Sequence, residues 1–532
     1  MDDLCPGPRF AYNTTTTMKK LFLTLILLAF SGLQAAAVTI AVYHTSDAHG
    51  WYSARPAQWD KENSTRSIGG FPALAALLKK ETAPYLLLDS GDMSQGTPEG
   101  ILTRGMASIT LMNQLGYAAV VPGNHDFDYG ERNLKVLASR AAFPFLGANV
   151  YYKASGAHAD YLKPYTIVEK GGRKIAVLGI LGRHTATSTL PSNVRHLDFR
   201  EEAAETAKWL PEIRKHNPDA VIVLSHLGLS EDLSLKRVDV STWTFDPPPF
   251  GTLMIARAAQ GVDLMLGGHN HAALLRGYHD PVSGAWLGES GYGLSYVTRA
   301  ELTFSDATGK LEGIKVNVIP LWVDQTGQDP LVLKTIAGFN AEVERKMGRV
   351  IGRAASDLGA AADGLDSAIG SWLCDITRKA TGADLAFHNT KALRAEIKKG
   401  PVRLRDIFQT MPFDNTIITM RLTGAQVKRL LADNLRGISF IQVSGLQVEF
   451  RQGPDGKVSE IRLKRGGREI KPQEDFLVAT NNYLAFGGNG GDVFAGGRDV
   501  KDTLLPLRDV MIKAFSKGPV TAPAKGRLSR LK

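Results

Sequence analysis

Five short segments of this chain carry metal-binding residue types. They are Asp47-Ala48-His49, Gly91-Asp92, Gly123-Asn124-His125-Asp126, Ser225-His226 and Gly267-Gly268-His269-Asn270-His271, with Asp128 close behind the third. Carboxylate and amide oxygens and imidazole nitrogens suit borderline or hard divalent ions such as Zn, Mn, Co or Mg. Seven donors without a cysteine (Asp47, His49, Asp92, Asn124, His226, His269, His271) exceed one closed tetrahedral site but suffice for two metals sharing a carboxylate. Asp92 is the natural shared ligand, because its two oxygens can bind two ions. Five of the twelve histidines fall in these segments, a concentration that scattered structural histidines would not give. His44, Asp89 and Asp126 flank the set and read as support, whereas His158, His184, His196, His216, His279 and His388 read as solvent or packing residues. The chemistry implied is metal-assisted hydrolysis.

Elements that hold these residues are legible around them. Val38–Tyr43, Tyr85–Leu88, Ala118–Val121, Ala220–Leu224 and Asp263–Leu266 are short runs rich in Val, Ile and Leu, each ending at or just before a ligand segment. They read as buried strands. Helical patterns lie between them at Phe71–Lys80, Ala107–Leu115, Glu131–Ser139 and Glu202–His216. Strands alternating with helices predict an α/β domain with its site along one rim of the sheet. Gly91, Gly123, Gly267 and Gly268 stand where strands must turn tightly.

At 532 residues the chain exceeds one core and predicts more than one domain. A charged amphipathic segment from Asp329 to Arg349 reads as a linker helix, giving domains at 38–325 and 350–532 with a linker at 326–349. The second domain starts with a helical pattern (Ser367–Ala380) and continues through Leu385–Phe387, Thr416–Leu422, Ala425–Leu435, Leu446–Phe450 and Phe476–Thr480. The formal charge is +10, but Lys and Arg are scattered and form no stripe or recognition motif, so no nucleic-acid polymer is expected as partner. Met18-Lys19-Lys20, the apolar Leu21–Phe30 and Ala35-Ala36-Ala37 make a signal-peptide pattern, with residues 1–17 as an upstream extension and a mature start near Val38. The expectation is an exported protein, periplasmic or secreted, without a membrane anchor. Cys374 would then be the one thiol of the mature chain, read as a buried small hydrophobe. Oligomeric state is left open.

Asp-x-His, Gly-Asp, Gly-Asn-His-Asp, Ser-His-Leu-Gly and Gly-Gly-His-x-His, in this order, resemble the calcineurin-like metallophosphatases. Tyr43–Gly50 and Gly123–Asp128 narrow the resemblance to the 5′-nucleotidase family, which includes 2′,3′-cyclic phosphodiesterases and UDP-sugar hydrolases. The resemblance implies a four-layered α/β/β/α metallophosphatase domain followed by a smaller α+β substrate-binding domain. It implies one metal on Asp47, His49, Asp92 and His271 and another on Asp92, Asn124, His226 and His269, which together activate a water for attack on phosphorus. His125 would donate to a phosphoryl or leaving oxygen, with Asp128 orienting it and keeping it protonated.

The same resemblance assigns the small-molecule side. Phe413 and Tyr483 would sandwich a nucleobase, and Asp492 would accept from ribose hydroxyls; without the resemblance these two aromatics read as core residues. Where the family carries Asn-Gly-Gly-Gly-Ile-Arg, this chain has Asn389-Thr390-Lys391-Ala392-Leu393-Arg394. Asn389 and Arg394 keep their places as phosphate contacts, but the glycine run is gone, and Lys391 offers a point charge in its stead. The substrate readings are therefore a nucleotide phosphate, a 2′,3′-cyclic nucleotide or nucleotide-sugar, or a non-nucleotide such as a thiosulfate ester.

Overall fold

Side-chain alternation along the central strands explains how the first domain is layered. In Arg173–Leu181, Ala220–His226 and Leu264–Gly267, the residues Ile175, Val177, Ile222, Leu224, Leu264 and Leu266 face one apolar core, while Ala176, Leu178, Val221, Val223 and Met265 face another. Successive side chains of a strand point to opposite faces, so a strand buried on both sides is apolar throughout. The computed structural model describes residues 38–230, 233–245, 251–360, 364–436 and 438–531; the segment 18–37, read above as a leader, lies outside them.

Two sheets stand face to face. One has five strands in the order Leu311–Pro320, Tyr296–Phe304, Val38–Thr45, Tyr85–Asp89 and Ala119–Val120. The other has six, ordered Tyr278–His279, Trp286–Glu289, Leu264–Gly267, Ala220–His226, Arg173–Leu181 and Tyr165–Lys170. Val42, Leu88, Ile222 and Leu266 share the core between them. Helices Phe71–Leu78, Met106–Leu115 and Gly130–Arg140 cover the outer face of the first sheet through Leu74, Leu111 and Leu134. Helices Glu202–Arg214 and Thr252–Ala258 cover the second through Leu210, Ile213, Leu253 and Ile255. This is the α/β/β/α arrangement. Val38–Thr45 runs parallel to Tyr85–Asp89, and Ala220–His226 parallel to Leu264–Gly267, so their C-terminal ends gather on one rim.

Helix Pro330–Met347 is started by Asp329, whose carboxylate accepts from the amides of Leu331 and Val332. Its first turns bury Val332 and Ile336 in the core of the first domain rather than standing free as a spacer. Beyond it lies a mixed five-stranded sheet ordered Ile441–Ser444, Leu385–Asn389, Asp475–Asn481, Thr416–Thr423 and Arg498–Pro506. Helices Ala368–Thr381 and Leu507–Ser516 pack on one face, and Gly424–Asn434 on the other. Cys374 is buried in the first of these helices, where burial pushes its thiol up and leaves it inert. Among the described residues no helix is long and apolar enough to cross a membrane.

Backbone proximity at the rim demands glycine. Gly91 has φ +88°, and a Cβ there would lie 2.1 Å from the Gly123 nitrogen and 2.5 Å from the Val121 oxygen. Gly91→Val should therefore lower stability by about 1–3 kcal/mol through overpacking and φ strain, read as a lower thermal midpoint; an unchanged midpoint would contradict this account.

Candidate metal centre

Each donor segment begins where a buried strand ends. Asp47 and His49 follow Val38–Thr45, Asp92 follows Tyr85–Asp89, His226 closes Ala220–His226, and His269 and His271 follow Leu264–Gly267. The turns are tight enough that Asp47, His49, Asp92, His269 and His271 all have φ between +48° and +74°. They make up five of the eleven positive-φ non-glycine residues among the described ones. Such backbone is unfavourable for side chains larger than glycine and persists where the surroundings enforce it. Buried Asp126 does much of the enforcing, because its carboxylate accepts from the amides of Asp92, Met93 and Gly123 and so ties two donor loops together. Asp89 similarly accepts from Thr45 and the Gly91 amide, and His44 bonds Ser90.

The seven donors converge. His49 Nε2 lies 3.1 Å from His271 Nε2 and 3.6 Å from Asp92 Oδ2, and His271 Nε2 lies 3.6 Å from Asp47 Oδ1. On the other side, His226 Nε2 is 3.3 Å from Asp92 Oδ2 and 3.2 Å from Asn124 Oδ1, with His269 Nδ1 3.0 Å from the same Asn124 oxygen. Ligands about 2.0–2.2 Å from a tetrahedral ion stand roughly 3.3–3.6 Å apart, so these spacings fit cation coordination. Two imidazoles have their tautomer fixed from behind: His49 Nδ1 meets the Gln95 carbonyl and His226 Nδ1 the Ser90 carbonyl, each at 2.5 Å. A carbonyl only accepts, so Nδ1 carries the proton and Nε2 turns its lone pair inward. Asp92 differs from the sequence reading in one respect. A single oxygen, Oδ2, faces both donor groups, because Oδ1 accepts from the His125 amide at 2.8 Å.

Electrostatics point the same way. Burial pushes Asp47 up to about 7, with the Asp92 charge adding to the effect and His226 opposing it. Burial also works against the charged form of Asp92, but the neighbouring His226 and His125 outweigh it and hold Asp92 well below the usual carboxylate range. Against its own burial, His226 is raised to about 10 by Asp92 and Asp47. The paired carboxylates thus demand positive charge at their centre. Burial pushes His49 down to about 3 and holds His269 and His271 well below normal, which keeps them neutral and able to donate lone pairs. Oxygen and imidazole donors, buried or partly so and spaced for coordination, fit divalent ions.

Next to this cluster His125 Nδ1 lies 2.9 Å from Asp128 Oδ2, and Thr189 donates to the other Asp128 oxygen. Burial opposes a charged His125, whereas Asp128 and Asp92 raise its proton affinity and win. Arg394 of the second domain counters them, with Nη2 3.0 Å from His125 Nε2. A guanidinium has no acceptor, so in this arrangement Nε2 accepts and the proton sits on Nδ1 facing Asp128. Phe413 packs on the same imidazole, ring centroids 5.3 Å apart and planes at 34°, with the Arg394 guanidinium 5.4 Å from its ring.

The remaining substrate-side residues are more dispersed. Asn389 accepts from Asn481 at 2.8 Å. Tyr483 donates to the Thr187 carbonyl and accepts from the Asn489 amide, so its hydroxyl is anchored across the domain junction. Phe413 lies against His125 rather than Tyr483, and Asp492 is exposed at the start of the turn Asp492–Gly496. Lys391 is exposed with its ammonium 5.8 Å from the Phe440 ring. Two neighbours of the centre have no signal in the sequence. Tyr292 packs its ring 4.6 Å from His271 and 5.3 Å from His49. His184, read above as solvent or packing, lies with its ring centroid 3.8 Å from His269, and burial pushes it down to about 3. Both are brought in by chain segments outside the five motifs.

Both domains have counterparts among known proteins. A calcineurin-like phosphoesterase model matches residues 40–273, and a 5′-nucleotidase C-terminal domain model matches residues 350–496. The trifunctional nucleotide phosphoesterase protein YfkN of Bacillus subtilis is 27% identical over 548 residues, covering 92% of this chain; the chain spans about a third (35%) of that protein's length. Protein UshA of Yersinia enterocolitica is 26% identical over 502 residues, covering 85% of this chain and 86% of that one. The crystal structure of a 5′-nucleotidase precursor from Thermus thermophilus shares the fold, with a TM-score of 0.79 at 24% identity over 93% of this chain and 99% of that one. With both domains matched in this order on this fold, the chain belongs to the 5′-nucleotidase family of metal-dependent phosphoester hydrolases.

Proposed function

We propose that the protein is an exported hydrolase that uses two divalent ions to release phosphate from nucleotides. The observation that carries this reading is the convergence of seven donors, five buried and His269 and His271 partly so, beside the His125–Asp128 pair, with Arg394 reaching in from the second domain. Asp47, His49, Asp92 and His271 would hold one ion, and Asp92, Asn124, His226 and His269 the other. Ions so held supply Lewis-acid charge for phosphoryl oxygens and activation of the attacking water. Export is supported by the signal-peptide pattern of residues 18–37, and N-terminal sequencing of the exported protein should begin near Val38. For domain limits we propose 38–325, 326–349 and 350–532, supported by helix Pro330–Met347 between the two matched segments.

The chain's own groups then have distinct tasks. Arg394 and Asn389 bind the phosphate, and Arg394 must leave His125 Nε2 as it does so. Freed of that contact, Nε2 can carry a proton toward the phosphoryl or leaving oxygen, with Asp128 fixing the ring through Nδ1. Phe413 and Tyr483 take the base and Asp492 the ribose. A second reading, a 2′,3′-cyclic phosphodiesterase, is favoured by the phosphate segment, whose turn Thr390–Ala392 has no glycine and turns Lys391 toward Phe440.

Purified full-length protein supplied with Mn, Co or Zn is expected to release phosphate from nucleoside monophosphates and to lose that activity to a chelator. Faster turnover of a 2′,3′-cyclic nucleotide would move the assignment to the second reading, and no turnover of any phosphate ester would end both. His125→Ala should lower kcat by about 10²–10⁴-fold while bound metal, measured by elemental analysis, stays at the wild-type level. Phe413→Ala should raise KM for adenosine monophosphate by roughly 5- to 150-fold, the equivalent of about 1–3 kcal/mol of base stacking; an unchanged KM would remove Phe413 from the base site.

A further inference from the structure

His184 occupies a position that packing alone does not explain. It lies three residues past the strand Arg173–Leu181, whose last residue Leu181 is paired in register with His226. The strand therefore delivers His184 to the rim that carries the donors. Its ring lies over His269 with centroids 3.8 Å apart and planes at 32°, and its centroid is 6.3 Å from that of His226. One edge is pressed on Gly182, where a Cβ would come within 2.2 Å of Cε1 and 2.3 Å of Nδ1. The other nitrogen, Nε2, is buried and has no hydrogen-bond partner among the described residues. A buried polar atom without a partner is unfavourable, so something else should meet it. One donor atom from each of His184, His226 and His269 can be chosen so that all three lie within 4.8 Å of one another, a spacing that a single cation can bridge.

We propose that His184 is a further metal ligand, adding a third imidazole to the metal position framed by Asn124, His226 and His269. The inference rests on the two-metal reading above and adds a residue to its ligand set. Its chemical consequence is selectivity. An oxygen-rich site accepts Mn or Mg readily, whereas each added imidazole favours Zn, Co, Ni or Cu. The two metal positions would then differ, with three imidazoles beside Asn124 and two beside Asp47. Gly182 is the residue that permits this placement, since any side chain there would collide with the His184 ring.

The test is metal binding by the stripped full-length protein, followed by calorimetry or chelator competition with Zn, Co and Mn in turn. His184→Phe keeps an aromatic ring on His269 and removes the nitrogens; His184→Ala removes both. For either variant the affinity of one of the two sites for Zn and Co should fall by about 10–100-fold, with a smaller loss for Mn, and the visible absorption of the Co-loaded protein should change. The thermal midpoint of the metal-free protein reports any loss of packing separately. If His184→Phe keeps wild-type affinity for all three ions and the wild-type Co spectrum, His184 is a packing residue and this inference falls, while the two-metal reading stands. If the wild-type protein binds no divalent ion, both fall together.

Discussion

Asp47, Asp92, His49, His226, His269 and His271 are buried or nearly so, and their lone pairs face a common space between two sheet edges. Charge of one sign packed this closely in a dry site is unfavourable, and Asp92 is held ionised by the histidines around it, His226 and His125 foremost. The neighbouring structure is organised to hold these groups against that cost. Left-handed backbone at five donors, Asp126 tying three loop amides, and the Gln95 and Ser90 carbonyls fixing two imidazoles all restrain groups that would otherwise turn to solvent. Divalent ions would supply the charge this arrangement lacks, which makes the metal both cofactor and structural element.

The two domains meet at His125. Arg394 and Phe413 both touch His125, while Gln95, whose carbonyl sets the His49 tautomer, donates its side-chain amide to the Pro412 carbonyl. Tyr483 and Asn489 bond the segment Thr187–Ser188, whose Ser188 carbonyl in turn accepts from the amide of Asn124. Movement of the second domain would thus be felt at Asn124 and at His125 alike. With the domains so placed, Arg394 fills the space beside His125 Nε2.

Much of the first domain was legible because its signals are local. Each strand is a run of Val, Ile and Leu, and observed bounds such as Val38–Thr45 and Ala220–His226 extend the expected runs by only two residues. Helices behaved likewise, with Glu202–Arg214 against an expected Glu202–His216. The donors were legible because Asp-x-His, Asn-His and His-x-His are dense in unusual residues. The segment Asp329–Arg349 reads as a linker helix; that Val332 and Ile336 join the first core was not legible, because which face of an amphipathic helix meets which core is a tertiary matter.

By itself the sequence determined the candidate donors, the order of elements and the candidate dyad, since ligand type and strand periodicity are properties of adjacent residues. Tertiary structure decided what depends on distance across the fold. It gave both donor groups the same Asp92 oxygen, because the other is taken by the His125 amide. It brought Tyr292 and His184 to the centre from segments with no motif, and it set Arg394 against His125 from 269 residues away. Those contacts form only when the sheets and the second domain close on one another, and no local pattern records that closure.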